Sequence, residues 1–218
     1  MIIRDGAHTT DALSVLGTEI KYPESLRSIT ERAAQVLEQS VNPIGGVPDH
    51  PSDGLLYGLI QSGKTSIITV AAAMAADNGF QCILILTSDI DLLYDQTLER
   101  IRKALRGLTV LGKNDWKDAL RFERHLKARA FVVVCSKNGS KLKSLLEAFK
   151  AAHAKGLSTL IIDDEADQAS LNTYTSKGKR AGQQNQRGHH RLQNFLSRQH
   201  ILTGHRDTAS SFLAGAGS

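Results

Sequence analysis

Three short runs in this chain are apolar almost from end to end: CILILT at 82–87, FVVVCS at 131–136, and the Leu160-Ile161-Ile162 core of LSTLIIDDEAD. A strand with one wet face alternates apolar and polar residues, so runs this uniform belong to strands buried on both faces. Helical stretches separate them: TSIITVAAAMAADNG, the amphipathic LLYDQTLERIRKALRG, and KLKSLLEAFKAAHAKG. An earlier apolar run, LLYGLI at 55–60, reads as a first strand. Strands of this kind alternating with helices form a parallel sheet covered on both sides. With right-handed crossovers the expected fold is α/β, a doubly wound, mostly parallel sheet. Ligands of such sheets sit at the carboxyl ends of the strands.

Residues 1–42 carry helical signals, and SLRSITERAAQVLEQS places Leu26, Ile29, Ala33, Val36 and Leu37 on one face. The connector NPIGGVPDHPSDG then gathers three of the four prolines with several glycines. The expected organisation is a small helical segment and linker over 1–50, an α/β lobe over 51–202, and an atypical tail over 203–218. No internal repeat interrupts it.

Cys82 and Cys135 lie inside apolar runs and make neither a disulfide scaffold nor a four-thiolate zinc site. No uncharged apolar stretch reaches 18 residues, and MIIRDGAHTTDALSV is not built like a signal peptide. A cytoplasmic protein is expected. The net charge of +5 is local. From Gln168 to Arg206 there is no acidic residue but seven basic ones, Lys177, Lys179, Arg180, Arg187, Arg191, Arg198 and Arg206. Without them the balance is slightly acidic.

Gly58-Leu59-Ile60-Gln61-Ser62-Gly63-Lys64-Thr65 matches the phosphate-loop pattern G-x-x-x-x-G-K-[ST], placed after an apolar strand and before a helix. The glycines let backbone N–H groups curl around phosphates, and the helix start adds its positive dipole end. Gly58, Gln61, Ser62, Gly63, Lys64, Thr65 and Ser66 are the expected nucleotide-binding set. Lys64 would reach the β- and γ-phosphates as a catalytic cation, and the Thr65 hydroxyl would ligate Mg²⁺.

The strand Leu160-Ile161-Ile162 runs into Asp163, Asp164, Glu165 and Asp167. Four carboxylates this close repel one another unless a cation neutralises them. Asp164 is the expected Mg²⁺ ligand, with Asp163 the alternative one register away. Glu165 is the expected catalytic residue that orients and deprotonates the attacking water. The loop ending at Lys64 and the carboxylates near Asp164 are expected to converge from neighbouring strands around one cation and a triphosphate tail.

Asp164-Glu165-Ala166-Asp167 spells the signature of superfamily-two helicases, and its spacing from Lys64 resembles the first RecA-like lobe of such a motor. More closely, GLIQSGKT, ILTSDIDLLYDQTLERIRKAL, VVVCSKN and LIIDDEADQASLNT resemble the bacterial Z-one domain family of helicase-like endonuclease proteins, found at restriction and phage-defence loci. The likeness covers about residues 50–202, and DDEADQASLNT is its most specific piece. It implies a RecA-like P-loop NTPase lobe that uses ATP and Mg²⁺ to work on DNA. By position it implies a nucleic-acid path along Thr87, Gln96 and Thr97, and along Ser136, Lys137 and Asn138. From the residues alone these are polar groups at strand ends, as fitting for loops as for a ligand face. The guanine-reading N-K-x-D motif is missing, which favours adenine.

Helicases of this kind follow the acidic motif with a strand and then Ser/Thr-Ala-Thr. Here HIL is followed by TGHRDTASSFLAGAGS, which has neither that motif nor the apolar pattern of a strand. Codons for TGHRDTASSFLAG shifted by one nucleotide can spell QVTATPQALFLQ, with Thr-Ala-Thr-Pro in the expected place. The expectation is a frame lost near Thr203, a last core strand missing, and slow hydrolysis without unwinding by this chain alone. TSKGKRAGQQNQRGHHR, at 175–191, reads as a polar loop whose charge suits DNA phosphates or plain solvation alike. His189-His190 lack the partners of a metal site. Trp116 reads as a helix anchor. Two other functions fit the same motifs: a stand-alone P-loop switch or regulatory ATPase without DNA, and a non-catalytic remnant that binds a partner.

Overall fold

The computed structural model describes residues 2–40, 52–57, 63–154, 157–164 and 198–205. Two helices come first, α1 (Ala7–Gly17) and α2 (Pro23–Glu38). Then follow β1 (Ser52–Tyr57), α3 (Lys64–Asp77), β2 (Cys82–Thr87), α4 (Asp91–Ala104) and β3 (Thr109–Leu111). The last described elements are α5 (Ala119–Leu126), β4 (Phe131–Ser136), α6 (Gly139–Ala151), β5 (Ser158–Asp163) and β6 (Arg198–His205). None of the described helices is long and apolar enough to cross a membrane.

The strands form one sheet in the order β1-β6-β5-β2-β4-β3. Every pairing in it is parallel. The winding reverses once. From β1 to β2 to β3 the chain steps towards one edge, with α3 and α4 packed on one face; from β3 through β4 to β5 it steps back, with α5 and α6 on the other. The chain is thus an α/β protein with a doubly wound parallel sheet.

Strand alternation sorts the core into two clusters. Ile83, Ile85, Val132, Val134, Leu160 and Ile162 meet Tyr94 and Ile101 of α4 and the buried residues of α3. Cys82, Leu84, Leu86, Phe131, Val133, Cys135 and Ile161 meet Phe122 of α5 and Leu142, Leu145 and Phe149 of α6. The rings of Phe122 and Phe149 meet edge to face, centroids 5.3 Å apart.

α3 is buried at ten consecutive positions, Ile67 to Ala76. A helix apolar all round needs cover on every side, and α1 and α2 give it the cover the sheet does not. Ala12 and Leu16 of α1 and Ile29, Ala33, Ala34 and Leu37 of α2 belong to the same cluster as α3. The N-terminal helices therefore share the core of the lobe. The far end of α3 also completes α1. Asp77 accepts from the Thr9 amide (2.8 Å), the Thr9 hydroxyl (2.7 Å) and the His8 amide (3.1 Å). A carboxylate there satisfies the unpaired donors of the first turn and opposes its positive pole. Gly6 lets it approach, since a Cβ at residue 6 would stand 2.2 Å from the Asp77 carboxyl carbon.

Several expectations need adjustment. β1 begins at Ser52, inside the expected connector, and ends at Tyr57. β3 and α5 had no clear sequence signal, and Trp116, although buried, lies in the turn before α5 rather than on a helix. The last strand is present, and β6 runs through Thr203, Gly204 and His205. It pairs with β1 as far as Tyr57↔His205 and with β5 as far as Asp163↔Thr203. Backbone partners on both sides hold this stretch extended where its side chains lack a strand pattern; tertiary context overrides propensity in sheets.

Candidate nucleotide site at the carboxyl edge of the sheet

All six described strands run the same way, so the ends of β1, β5, β2 and β4 line one edge. α3 starts at that edge. Its N-cap, Gly63, has φ +79°, ψ 20°, a left-handed backbone that costs an L-residue about 1–2 kcal/mol and glycine little. A Cβ built on Gly63 would meet none of the described residues within 4 Å.

The first turn of α3 has neither a side-chain cap nor an acidic residue. The other described helices differ. α5 is capped by Asp118, α6 by Asn138 and α1 by Asp77, while α2 and α4 carry Glu24 and Asp91 in their first turns. A helix start with no side-chain cap among the described residues, at a positive dipole end, with Lys64 and the half-buried Thr65 and Ser66 beside it, fits an anion and its counter-cation. Thr69 donates to the Thr65 carbonyl at 2.8 Å and steadies that turn.

At the end of β5 the two aspartates part company. Asp163 follows Ile161 on the α6 face, is 3% exposed, and pairs with Lys137 at 2.5 Å. Asp164 follows Ile162 and so falls on the face that carries α3; it is half-buried, and its amide donates to the Leu86 carbonyl at 2.9 Å. Carried one residue past β5, the same alternation assigns Asp164, rather than Asp163, to the face that carries α3. β1 and β5 are not neighbours, because β6 lies between them. Two strand spacings set them about 10 Å apart, a span that a phosphate chain with its cation can bridge.

The six residues expected along a nucleic-acid path divide. Thr87 is buried, and its carbonyl accepts from the Lys137 amide at 2.8 Å. Lys137 is taken up by Asp163. The side-chain Oδ1 of Asn138 accepts from the Ser140 amide (2.9 Å) and hydroxyl (2.7 Å), which caps α6. Gln96 is exposed, while Thr97 and Ser136 are half-buried. Gln96 lines a cavity of about 480 Å³ with Thr65, Ser66 and Thr69 of α3, Val15 and Leu16 of α1, Glu19 just after α1, and Glu99, Arg100, Lys103 and Ala104 of α4. Lys103 and Glu19 pair at 2.6 Å beside it, and the ammonium holds the Glu19 carboxyl below its usual range. This groove was not legible in the sequence, because it depends on where α1 docks.

Gly58, Gln61, Ser62 and Glu165 lie outside the described residues, as do the basic segment 175–191 and the tail from Arg206. The chain matches no protein-family model and no curated protein.

Proposed function

We propose that this chain is an ATP-binding, Mg²⁺-dependent nucleoside-triphosphatase lobe of RecA-like type, from a helicase-like protein of the restriction or phage-defence kind that works on DNA. The observation that carries the reading is the pairing on one sheet edge and one face. A helix start without a side-chain cap among the described residues, opened by left-handed Gly63 and followed by Lys64 and Thr65, supports the reading together with Asp164, which strand alternation carried just past β5 assigns to the α3 face. In this reading the N–H groups of α3 hold the phosphates, Lys64 sits on the β- and γ-phosphates, and Thr65 with Asp164 holds Mg²⁺. Bound Mg²⁺ would neutralise the charge that develops on the phosphates. Glu165 would orient the attacking water, a role resting on the sequence alone.

Thermal unfolding with Mg-ATP tests this. A ligand that binds only the folded chain stabilises it by about 2.7 kcal/mol at a hundredfold excess over Kd. For a protein of this size that raises Tm by roughly 5–10 °C. Lys64→Ala should abolish the shift. An unchanged Tm in the wild type would end the nucleotide reading.

A second reading, a P-loop ATPase without a DNA partner, is favoured by one observation. Three of the six DNA-path candidates, Thr87, Lys137 and Asn138, are already used inside the fold. Measuring ATP turnover with and without added DNA separates the two: DNA stimulation supports the first, and indifference to DNA the second.

A further inference from the structure

Lys137 was expected to face a ligand, yet it reaches back into the protein. It stands just past the end of β4, Asp163 ends β5, and β2 lies between those strands. The lysine side chain therefore crosses the end of β2 to meet the carboxylate. Two backbone bonds pin the crossing to β2: the Lys137 amide to the Thr87 carbonyl, and the Asp164 amide to the Leu86 carbonyl. The Lys137 side chain is 17% exposed and that of Asp163 4%, so neither is a surface group.

Asp163 and Asp164 are consecutive, and the Asp164 amide continues the ladder to the Leu86 carbonyl, so the alternation carried past β5 assigns the two to opposite faces of the sheet. Both negative charges nevertheless act on the same small volume at the strand end. An ammonium on the far face cancels one of them without occupying the near face.

We propose that Lys137 and Asp163 are a positioning pair that neutralises the far face of the β5 end, so that the affinity for a divalent cation at Asp164 is set by groups on the α3 face. This deepens the nucleotide reading above and rests on it. Lys137 is then part of the support of the cation site and not a contact to nucleic-acid phosphates.

Electrostatics gives the test an unusual sign pattern. Asp163→Asn leaves an uncompensated positive charge beside the cation, so more Mg²⁺ is needed. Lys137→Met removes one positive charge from the same place, so less is needed. The double variant removes both charges and returns to the start. One unit charge at this range shifts affinity about tenfold.

The readout is the Mg²⁺ concentration that gives half-maximal thermal protection by ATP, measured on the full chain. The midpoint should rise about tenfold in D163N, fall about tenfold in K137M, and stay within twofold of wild type in the double variant. Midpoints that move the same way in both single variants would reduce the pair to a plain structural contact and overturn the proposal. If the single variants do not fold, the double variant carries the test, and a tenfold change in it is equally fatal. An unchanged midpoint in K137M, with weaker DNA binding and a shallower salt dependence, would make Lys137 a phosphate contact instead. No protection of the wild type at any Mg²⁺ concentration would remove the nucleotide reading and the pair's role with it; protection without the opposed signs removes the pair's role alone.

Discussion

Gly63 shows how much one residue can carry. Its φ of +79° is a backbone requirement, and none of the described residues stands where a Cβ would go. Gly63→Ala meets no clash among the described residues and should cost about 1–2 kcal/mol by backbone strain, read from urea unfolding. Because the same backbone opens the helix start, the Mg-ATP thermal shift should fall along with stability. Asp77 carries weight of another kind. Its carboxylate serves two amides and a hydroxyl of α1, so Asp77→Ala should cost about 1–2 kcal/mol, without loss of nucleotide binding once the lower baseline is allowed for. The motif that flagged Gly63 says nothing of Asp77, whose partners lie 68 and 69 residues away. The pairing of Lys137 with Asp163 was hidden for the same reason, since it follows from a strand order in which β2 separates β4 from β5.

At the level of elements, α3 is the centre of the packing. Ala33 and Ala34 of α2 are fully buried where that helix meets the core that includes α3, and small residues there allow close approach. Ala33→Leu should overpack the crossing and destabilise by roughly 1–3 kcal/mol, visible as a lower denaturation midpoint with an unchanged slope. The strands β2 and β4 were legible to the residue, because CILILT and FVVVCS are apolar where a two-faced strand must be. β3 was not, because three residues on a sheet edge leave too little pattern to read. β6 was misjudged for a physical reason: its chain direction and partners come from β1 and β5, and neither is visible in residues 203–205. The approach of α1 and α2 to α3 was also hidden. Their amphipathic faces could be read, but not what they would cover.

For the molecule as a whole, the two-layered burial has a consequence in alkali. Burial pushes the thiols of Cys82 and Cys135 up to about 12 from 9.0, and the Tyr94 hydroxyl up to about 12 from 10.0. Above pH 9 the unfolded chain releases these protons while the folded chain retains them. The stability they contribute is fully present below pH 9 and is lost as pH rises towards 12. The expected result is a Tm that falls steadily across that window, along with thiols that resist alkylating reagents until the chain unfolds. Weaker alkaline loss in Cys82→Ala than in wild type, compared as slopes, would check the assignment.

α3 is a rod of fourteen residues, about 21 Å long. One end stands at the proposed phosphate site, and the other closes the first turn of α1 through Asp77. Anything that clamps the loop end also resists the excursions in which this rod lets go of its neighbours. Amide exchange at His8 and Thr9, remote from the sheet edge, should therefore slow when the loop is occupied. The opening residues of the chain would then serve as its own reporter of an event at the far tip of the helix.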